Sequence, residues 1–403
     1  MSKIKIENFG PIIDSGWIDI SKVTLFIGNQ GTGKSTIAKL ISTFTWIEKD
    51  IFRGNAYGEE IKVIEKVKKS NLKYYLEYHR TENYFTENTS IFYVGNAYTI
   101  DYEEGKFTIK KSNSKYSYPQ IIYIPAERNF ISYVNNPGDS KFIPRGLVDF
   151  VTDFNLAKEN TKYPLNLPVN KAKIYYSKSD ESLHLSENKK YKIKLTESSS
   201  GFQAIAPLYL VSEFLANKVK TSENKMDSSE QTQFRKRIGE IYNNSSLTEE
   251  QRRVALSELT TALNKKAFIN IVEEPELNLY PSSQWSLLQS LLKFNNYSDD
   301  NKLIITTQSP YIVNYLTLAI QADYLKEKIG NSKKWLNVLK DIVTLESTVS
   351  NSNVSIYQLN DKVRKLESLN IKNKIPTDKN FLNEEISKGN ELFDKLLEIE
   401  DRL

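Results

Sequence analysis

The sequence predicts an α/β fold, and this prediction rests on three segments. Residues 23–27 form a β-branched and aromatic run, and a glycine-rich turn at 28–35 leads from it into an amphipathic helical pattern. Residues 267–272 and 303–307 are further apolar runs of strand length, and each is followed by polar side chains. Apolar strands that alternate with helices are typical of a largely parallel sheet with helices packed against it.

The glycine-rich turn matches the phosphate-binding pattern G-x-x-x-x-G-K-[ST] at every constrained position. A strand that enters a helix through such a turn aims backbone N–H groups and the helix N-terminus at an anion. Lys34 is expected to reach the outer phosphates of a nucleoside triphosphate, and the Ser35 hydroxyl to hold Mg²⁺. The predicted nucleotide-binding residues are Gly28, Asn29, Gln30, Gly31, Thr32, Gly33, Lys34, Ser35 and Thr36.

The composition excludes several kinds of site and of protein. The chain has 403 residues, a formal net charge of +5 and no cysteine, which excludes disulfides and thiolate metal sites. The N-terminus lacks an apolar signal core, and no segment approaches the length of a transmembrane helix. These features predict a cytoplasmic protein that does not enter a membrane.

The sequence also argues against a nuclease centre in this chain. His79 and His184 are its only histidines, and they are too few to form a histidine-based metal centre. No D-x-D pair occurs, although nucleases of the TOPRIM type use such a pair to hold divalent metal. The chain is therefore expected to bind a nucleotide without cutting nucleic acid itself.

The N-terminal third is predicted to be rich in strands. Residues 1–27 alternate as strands around a turn at Gly10 and Pro11. Residues 60–118 contain aromatic strand-like runs, among them 74–78, and predict a small antiparallel layer beside the nucleotide-binding core.

Helices are predicted in the second half of the chain. Residues 212–265 are polar and nearly free of strand-forming residues, and Ser246 with Glu249 predicts a capping box at a helix start. A charged helical tail over 381–403 carries an apolar face formed by Leu392, Leu396, Leu397 and Ile399.

Two acidic residues follow the apolar run at 267–272. A strand end of this kind places one carboxylate near a metal ion and the next near an attacking water. Glu273 is therefore predicted to serve Mg²⁺, and Glu274 to orient or deprotonate water for attack on the γ-phosphate. The run at 303–307 leads to Gln308, a third polar side chain expected at the same edge.

A small-residue loop at 197–203 opens a further helical segment. Its hydroxyl and N–H groups at a helix N-terminus predict a second anion site, centred on Ser200 and Gly201. One chain rarely needs two such sites unless two chains face each other.

The order of these motifs and the residues in them resemble those of the ABC-type ATPase superfamily. The resemblance is to the branch shared by SMC-type DNA-repair ATPases and the overcoming-lysogenization-defect (OLD) family. In that family the loop at 28–35 is Walker A, and the S-S-G-F-Q at 199–203 corresponds to the signature motif. The E-E-P-E at 273–276 corresponds to Walker B, with the D-loop at 277–281, and 125–128 reads P-A-E-R as in the same branch. The Q-loop glutamine is not identified. The resemblance implies a P-loop ABC-type ATPase core with an antiparallel β layer and a helical insertion.

The resemblance also implies a mechanism. Two copies are expected to form a head-to-tail homodimer that encloses two ATP molecules with Mg²⁺. One subunit supplies Lys34, Ser35, Glu273 and Glu274, and the other supplies Ser200 and Gly201. Lys34, Glu274 and Gln308 are the expected catalytic residues.

Gln308 departs from the family pattern, which usually has a histidine in T-T-H-S-P that contacts the γ-phosphate. The glutamine amide donates a hydrogen bond but carries no charge and moves no proton. We therefore hypothesise that this chain hydrolyses ATP slowly.

The implied biological role is the control of a separate effector chain, a nuclease or a toxin. The chain is similar to the compact ATPase subunits of the Septu and PARIS anti-phage systems, whose effector is a separate chain. A small SMC-like repair or recombination ATPase acting directly on DNA is the alternative, so contact with nucleic acid stays open. A transporter ATPase usually keeps a full L-S-G-G-Q motif, and a nucleotide sensor without hydrolysis would not need Glu274.

Three parts are predicted along the chain. Residues 1–130 form the N-terminal half of the ATPase core, with Walker A and the antiparallel layer. Residues 131–265 form a signature-bearing lobe with the helical insertion. Residues 266–403 form the C-terminal half, with Walker B, the D-loop and the helical tail.

Overall fold

A computed structural model describes most of the chain. The described residues are 2–133, 143–187, 191–221, 228–360, 365–369, 371–372, 375–376 and 380–400. The last three residues of the predicted tail, 401–403, lie outside them. Among the described residues, no helix has both the length and the hydrophobicity that crossing a bilayer requires.

Eleven strands of the described residues form one large sheet, in the order β6-β5-β4-β1-β2-β15-β14-β3-β13-β12-β7. These strands are β1 (Ser2–Phe9), β2 (Ile12–Ile20), β3 (Val23–Gly28), β4 (Ser90–Val94), β5 (Tyr98–Glu103), β6 (Lys106–Lys111), β7 (Pro119–Ile124), β12 (Ala267–Glu273), β13 (Lys302–Thr307), β14 (Val354–Asn360) and β15 (Lys365–Ser368).

Two smaller sheets complete the described strands. A four-stranded antiparallel sheet contains β8 (Leu165–Asn166), β9 (Ala172–Ser177), β10 (Ser182–Glu187) and β11 (Tyr191–Lys194), and a two-stranded one contains β16 (Ile371–Lys372) and β17 (Ile375–Pro376).

The parallel half of the large sheet is the predicted nucleotide-binding core. β3 pairs in parallel with β13 and β14, and β12 pairs in parallel with β13 and β7. Every residue of β3 and of β12 is buried. Continuous apolar runs are typical of parallel strands covered on both faces, which is why these segments could be recognised in the sequence.

The antiparallel half carries β1, β2, β4, β5 and β6. It is joined to the parallel half through β15, which pairs with β2 on one side and β14 on the other. The antiparallel layer predicted within 60–118 is therefore present, and it continues the core sheet along its edge.

Helices cover both faces of the parallel half of the large sheet and one face of its antiparallel half. They are α1 (Lys34–Ala56), α2 (Glu60–Lys69), α3 (Leu72–Leu76), α4 (Arg145–Asn160), α5 (Ser200–Lys220), α6 (Ser228–Asn243), α7 (Glu249–Leu263), α8 (Pro281–Asn295), α9 (Pro310–Ile329), α10 (Lys333–Ile342) and α11 (Phe381–Glu400). The three-part division of the chain stays a prediction.

Alternate residues of the parallel strands face two different hydrophobic cores. Phe26 packs on the face that α1 covers, whereas its neighbours Leu25 and Ile27 pack on the face that α4, α5, α8 and α9 cover. Because successive side chains of a strand point to opposite faces, α1 and α5 lie on opposite sides of the sheet.

The prediction of a strand at 74–78 was wrong. The segment is the end of α3 followed by a 3₁₀ turn at Glu77–His79. Asn71 accepts a hydrogen bond from the Lys73 N–H and begins the helix, and Leu72 and Leu76, four residues apart, are buried on one helical face. The helical spacing of these two leucines outweighs the strand preference of the tyrosines between them.

The capping box of the helical insertion is present but begins two residues later than predicted. The Thr248 hydroxyl accepts from the Gln251 N–H at 3.3 Å, and the Gln251 side chain accepts from the Thr248 N–H at 2.9 Å. Ser246 instead donates to Asn244 in the preceding turn. Both S-x-x-E and T-x-x-Q fit the capping pattern, so the sequence alone could not separate them.

Candidate functional site

The carboxyl ends of the parallel strands meet at one edge of the sheet. Ile27 lies opposite Thr307 and Glu273 opposite Thr306 in the parallel registers. Polar residues that follow these strands are therefore brought together although they are far apart in the sequence. Such an edge is where α/β sheets place their ligand sites.

The loop from β3 to α1 has the shape of an anion cradle. Gly31 has a φ of 78°, and a Cβ added there would meet nothing within 4 Å, so this part of the loop is open. Gly33 has a φ of 107°, and its Cβ would lie 3.0 Å from Pro11 Cγ in the β1–β2 turn. Left-handed backbone and a close neighbour together explain why Gly33 is a glycine.

Lys34 holds the loop in place through its side chain. Its ammonium donates to the carbonyl oxygens of Gly28 at 2.8 Å and Asn29 at 2.7 Å. Burial lowers the pKa of this lysine below its usual value, and the nearby carboxylates, Glu274 first, oppose the shift. The ammonium is thus a buried cation that anionic phosphate oxygens could bind.

The N-terminus of α1 is open toward this loop. No side chain of the described residues caps it, and the first bond to the loop is that from Ile37 N to Gly33 O at 3.0 Å. The N–H groups of the first turn, Lys34 to Thr36, therefore have no acceptor inside the helix and are available to an anion.

Glu273 has the position and the free oxygen of a metal ligand. Only 3% of the residue is exposed, and its Oε2 accepts from the Ala126 N–H at 3.2 Å. Its Oε1 is buried and accepts no hydrogen bond of standard geometry from the described residues. The Tyr123 hydroxyl lies beside this carboxylate, and burial, together with the carboxylate, raises the pKa of Tyr123. A buried carboxylate oxygen with spare acceptor capacity is stabilised by a cation, so the residue fits the predicted Mg²⁺.

Glu274 and Gln308 are a contacting pair. The Gln308 amide Nε2 donates to Glu274 Oε1, and both residues lie at the ends of neighbouring strands. Glu274 has a φ of 42°, and its N–H is bonded to Thr306 O at 2.9 Å. A left-handed conformation at a non-glycine residue is strained, and here it directs the carboxylate away from the strand line, toward Gln308.

Glu276 was not predicted to belong to the site. Its Oε1 accepts from the Thr307 hydroxyl at 2.7 Å and from the Gln308 N–H at 2.8 Å. Burial raises the pKa of this carboxyl, and the two hydrogen bonds oppose the shift. The residue ties the loop after β12 to the end of β13 and so fixes the backbone of Gln308.

Arg128 is the largest fully buried side chain of the described residues. Its guanidinium donates to four main-chain carbonyl oxygens, those of Ala204 (3.0 Å), Pro125 (3.3 Å), Glu273 (2.8 Å) and Glu274 (2.7 Å). Burial lowers its pKa to about 10, which still leaves it protonated at neutral pH. It therefore clamps the start of α5 to the end of β12.

The structure does not bring Ser200 and Gly201 to the loop at 28–35. They begin α5, on the opposite side of the sheet from α1, and Ser200 is exposed. Its N-cap residue, Ser199, makes no side-chain cap bond, so within the described chain this helix N-terminus is also open. Gly201 packs against the loop after β12, where an added Cβ would lie 2.9 Å from Asn278 O.

Comparison with protein-family profiles shows the family to which the chain belongs. The profile described as AAA ATPase domain matches residues 1–313, about three quarters of the chain. The chain belongs to this AAA ATPase domain family. The predicted α/β fold class is confirmed: this AAA ATPase domain protein has a parallel core sheet, an antiparallel β layer that continues it, and the helices α5, α6 and α7 inserted between β11 and β12.

Three solved structures are distantly similar to this AAA ATPase domain protein. An SMC head bound to the C-winged helix domain of ScpA is 10% identical, with 92% of this chain and 97% of that chain covered and a TM-score of 0.39. The SMC head domain from Thermotoga maritima is 13% identical, with 78% and 90% covered and a TM-score of 0.35. A RecF structure is 10% identical, with 91% and 97% covered and a TM-score of 0.32. A search of curated proteins gives no match.

Proposed function

We propose that this chain is an ATP hydrolase that dimerises head to tail around two ATP molecules and controls a separate effector chain in the cytoplasm. The supporting observation is the position of two open helix N-termini. One begins α1 beside Lys34, Glu273, Glu274 and Gln308, and the other begins α5 on the opposite side of the sheet. A second copy can bring its α5 to the phosphate that the first copy holds.

The site residues take the following roles in this proposal. The N–H groups of the loop and of α1 hold the phosphates, and the Lys34 ammonium leaves the loop carbonyls for the β- and γ-phosphates. Ser35 and Glu273 would hold Mg²⁺, which supplies charge neutralisation on the phosphate oxygens. Ser200 and Gly201 of the second copy donate to the γ-phosphate.

Glu274 is the proposed general base. Water attacks the γ-phosphorus, the bond from that phosphorus to the β–γ bridging oxygen breaks, and the water proton passes to the Glu274 carboxylate. ADP and phosphate are the products. The Gln308 amide fixes Glu274 and, in the closed dimer, donates to the γ-phosphate as well.

Gln308 is the basis for the proposal that hydrolysis is slow. A histidine at this position would carry a positive charge toward the γ-phosphate, whereas the amide offers a neutral donor. Gln308→His is therefore expected to raise the steady-state kcat for ATP, measured by phosphate release. Gln308→Asn, which keeps the amide but shortens it, is the control and is expected to lower kcat. An unchanged kcat in Gln308→His would contradict the proposal.

The effector is proposed to be a nuclease or toxin chain of an anti-phage defence system. The support is the resemblance of the S-S-G-F-Q and E-E-P-E motifs to the OLD-like branch. The alternative, a small SMC-like repair ATPase, would act on DNA directly.

Purification of the Glu274→Gln variant with its native neighbouring genes separates the two roles. Loss of the base should slow hydrolysis by about 10²–10⁴-fold and hold the ATP-bound assembly together. A nuclease or toxin chain recovered in stoichiometric amount, as identified by mass spectrometry, is the expected result. Recovery with nucleic acid only would favour the repair ATPase. Lys34→Ala, which should not bind ATP, is the matched control.

A further inference from the structure

α10 has two apolar faces, and the residues that the structure describes cover only one of them. Leu339 and Val343 pack against Ala322 of α9. Three other side chains, spaced i, i+3 and i+7 and therefore on one helical face, are exposed by 55%, 47% and 58%. We call these three residues, Trp335, Val338 and Ile342, the α10 face.

The segment that carries the α10 face is rich in lysine. Residues 326–342 contain five lysines and two acidic residues, a net charge of +3. Lys334 lies over the Trp335 ring, 5.6 Å from its centroid, so a cation borders the apolar side chains directly. The occupant that suits this surface is an amphipathic segment with a negative charge.

α11 is such a segment. It has six acidic and two basic residues, a net charge of −4. Leu382 near its start is buried in the main core, but six later apolar residues are 43–62% exposed: Ile386, Leu392, Phe393, Leu396, Leu397 and Ile399. Most of the stability of a helix in a protein comes from packing of its amphipathic face, so α11 needs a surface that covers its apolar residues.

The two surfaces do not cover each other within one chain, because both are exposed in the same structure. α11 begins beside β14, where the Phe381 N–H donates to Gln358 at 2.7 Å, one residue before the pairing of Leu359 with Gly28. α9 starts at the edge of the sheet where the parallel strands end, and it is 20 residues long. α10 follows the far end of α9.

We propose that α11 of one copy docks on the α10 face of a second copy. The apolar residues of both helices are covered in this contact, and the charges of +3 and −4 attract. Pairing of α11 with another α11 would instead bring two net negative helices together. The contact forms without nucleotide and is separate from the proposed ATP-bound dimer interface.

The absence of cysteine from the chain makes a direct test simple. In a Lys34→Ala background, which removes ATP-driven association, one sample carries Val338→Cys and the other Leu396→Cys. The two proteins are mixed and oxidised gently. The expected product is a disulfide-linked dimer that contains one chain of each kind, identified by mass spectrometry. Its yield should fall with added salt, because the Debye length shortens from about 10 Å at 0.1 M to about 3 Å at 1 M.

Matched cysteines on the polar sides of the same helices are the controls. Asn337→Cys on α10 and Asp394→Cys on α11 are both exposed and should give little mixed dimer. Equal yields from the control pair would overturn the proposal, as would dimers formed only between two Leu396→Cys chains. A chain with both Val338→Cys and Leu396→Cys that closes on itself as a monomer would show that α11 folds back on its own α10, and would overturn it too. Since Lys34 is replaced throughout, failure here leaves the ATP-bound dimer untouched.

Discussion

Lys34→Ala and Ser200→Glu are each expected to abolish ATP hydrolysis alone, and an equimolar mixture of the two is expected to recover it in part. In the proposed dimer, Lys34→Ala removes the cation that receives the phosphates, and Ser200→Glu places a carboxylate at the helix N-terminus that would meet the partner's γ-phosphate. Each change should cost at least about 10²-fold in kcat, as the loss of a single transition-state donor does. In a mixed dimer one of the two sites has both parts intact.

The recovered activity has a defined size. If subunits mix at random, half of the dimers are mixed and each has one intact site, so up to about a quarter of the wild-type rate should return, and less if a lone site turns over more slowly than a paired one. The measurement is phosphate release, with differently tagged subunits to confirm that the chains exchange. Thr196→Glu places the same charge on a nearby exposed residue outside α5 and should keep activity. A mixture with exchanged chains that stays inactive would mean that α5 does not complete the site in trans.

Arg128→Met is expected to lower the free energy of unfolding by at least about 3 kcal/mol. The substitution keeps most of the side-chain volume but removes the donor of four main-chain hydrogen bonds, three of them at 3.0 Å or less. Hydrogen bonds to a charged group are worth about 1.5–3 kcal/mol each, and buried carbonyls left without partners add a cost. Urea unfolding followed by circular dichroism measures the change.

Two further variants show whether the guanidinium geometry matters. Arg128→Lys keeps a charge but cannot reach four acceptors in a fixed fork, so it should recover only part of the lost stability. Arg253→Met changes an exposed arginine on α7 and should stay within about 0.5 kcal/mol of the wild type. An Arg128→Met protein as stable as Arg253→Met would show that the clamp contributes nothing.

The sequence was most informative where local chemistry decides the structure. The loop at 28–35 needs glycine at positions of positive φ and a lysine after them, so its pattern could be recognised without the fold. The apolar runs of β3, β12 and β13 are buried on both faces, and such runs stand out in any sequence.

Features that depend on register or on distant packing could not be predicted. The contact of Gln308 with Glu274 exists because β12 and β13 pair in one particular parallel register. Nothing local to 125–128 indicates that Arg128 is buried against carbonyls 76 and 145 residues away. The strand prediction at 74–78 was wrong because the strand preference of the tyrosines is visible in the sequence, whereas the burial of Leu72 and Leu76 is not.

The close contact of Gly201 with Asn278 couples the position of α5 to the position of the loop after β12. The gap there does not admit a methyl group, and Arg128 fastens the same helix to the carbonyls of Glu273 and Glu274. Any displacement of the β12 end in one subunit must therefore move α5 of that subunit, the part that reaches its neighbour's γ-phosphate in the proposed dimer. The two ATP sites would then sense each other's occupancy, and turnover would depend on ATP concentration with positive cooperativity.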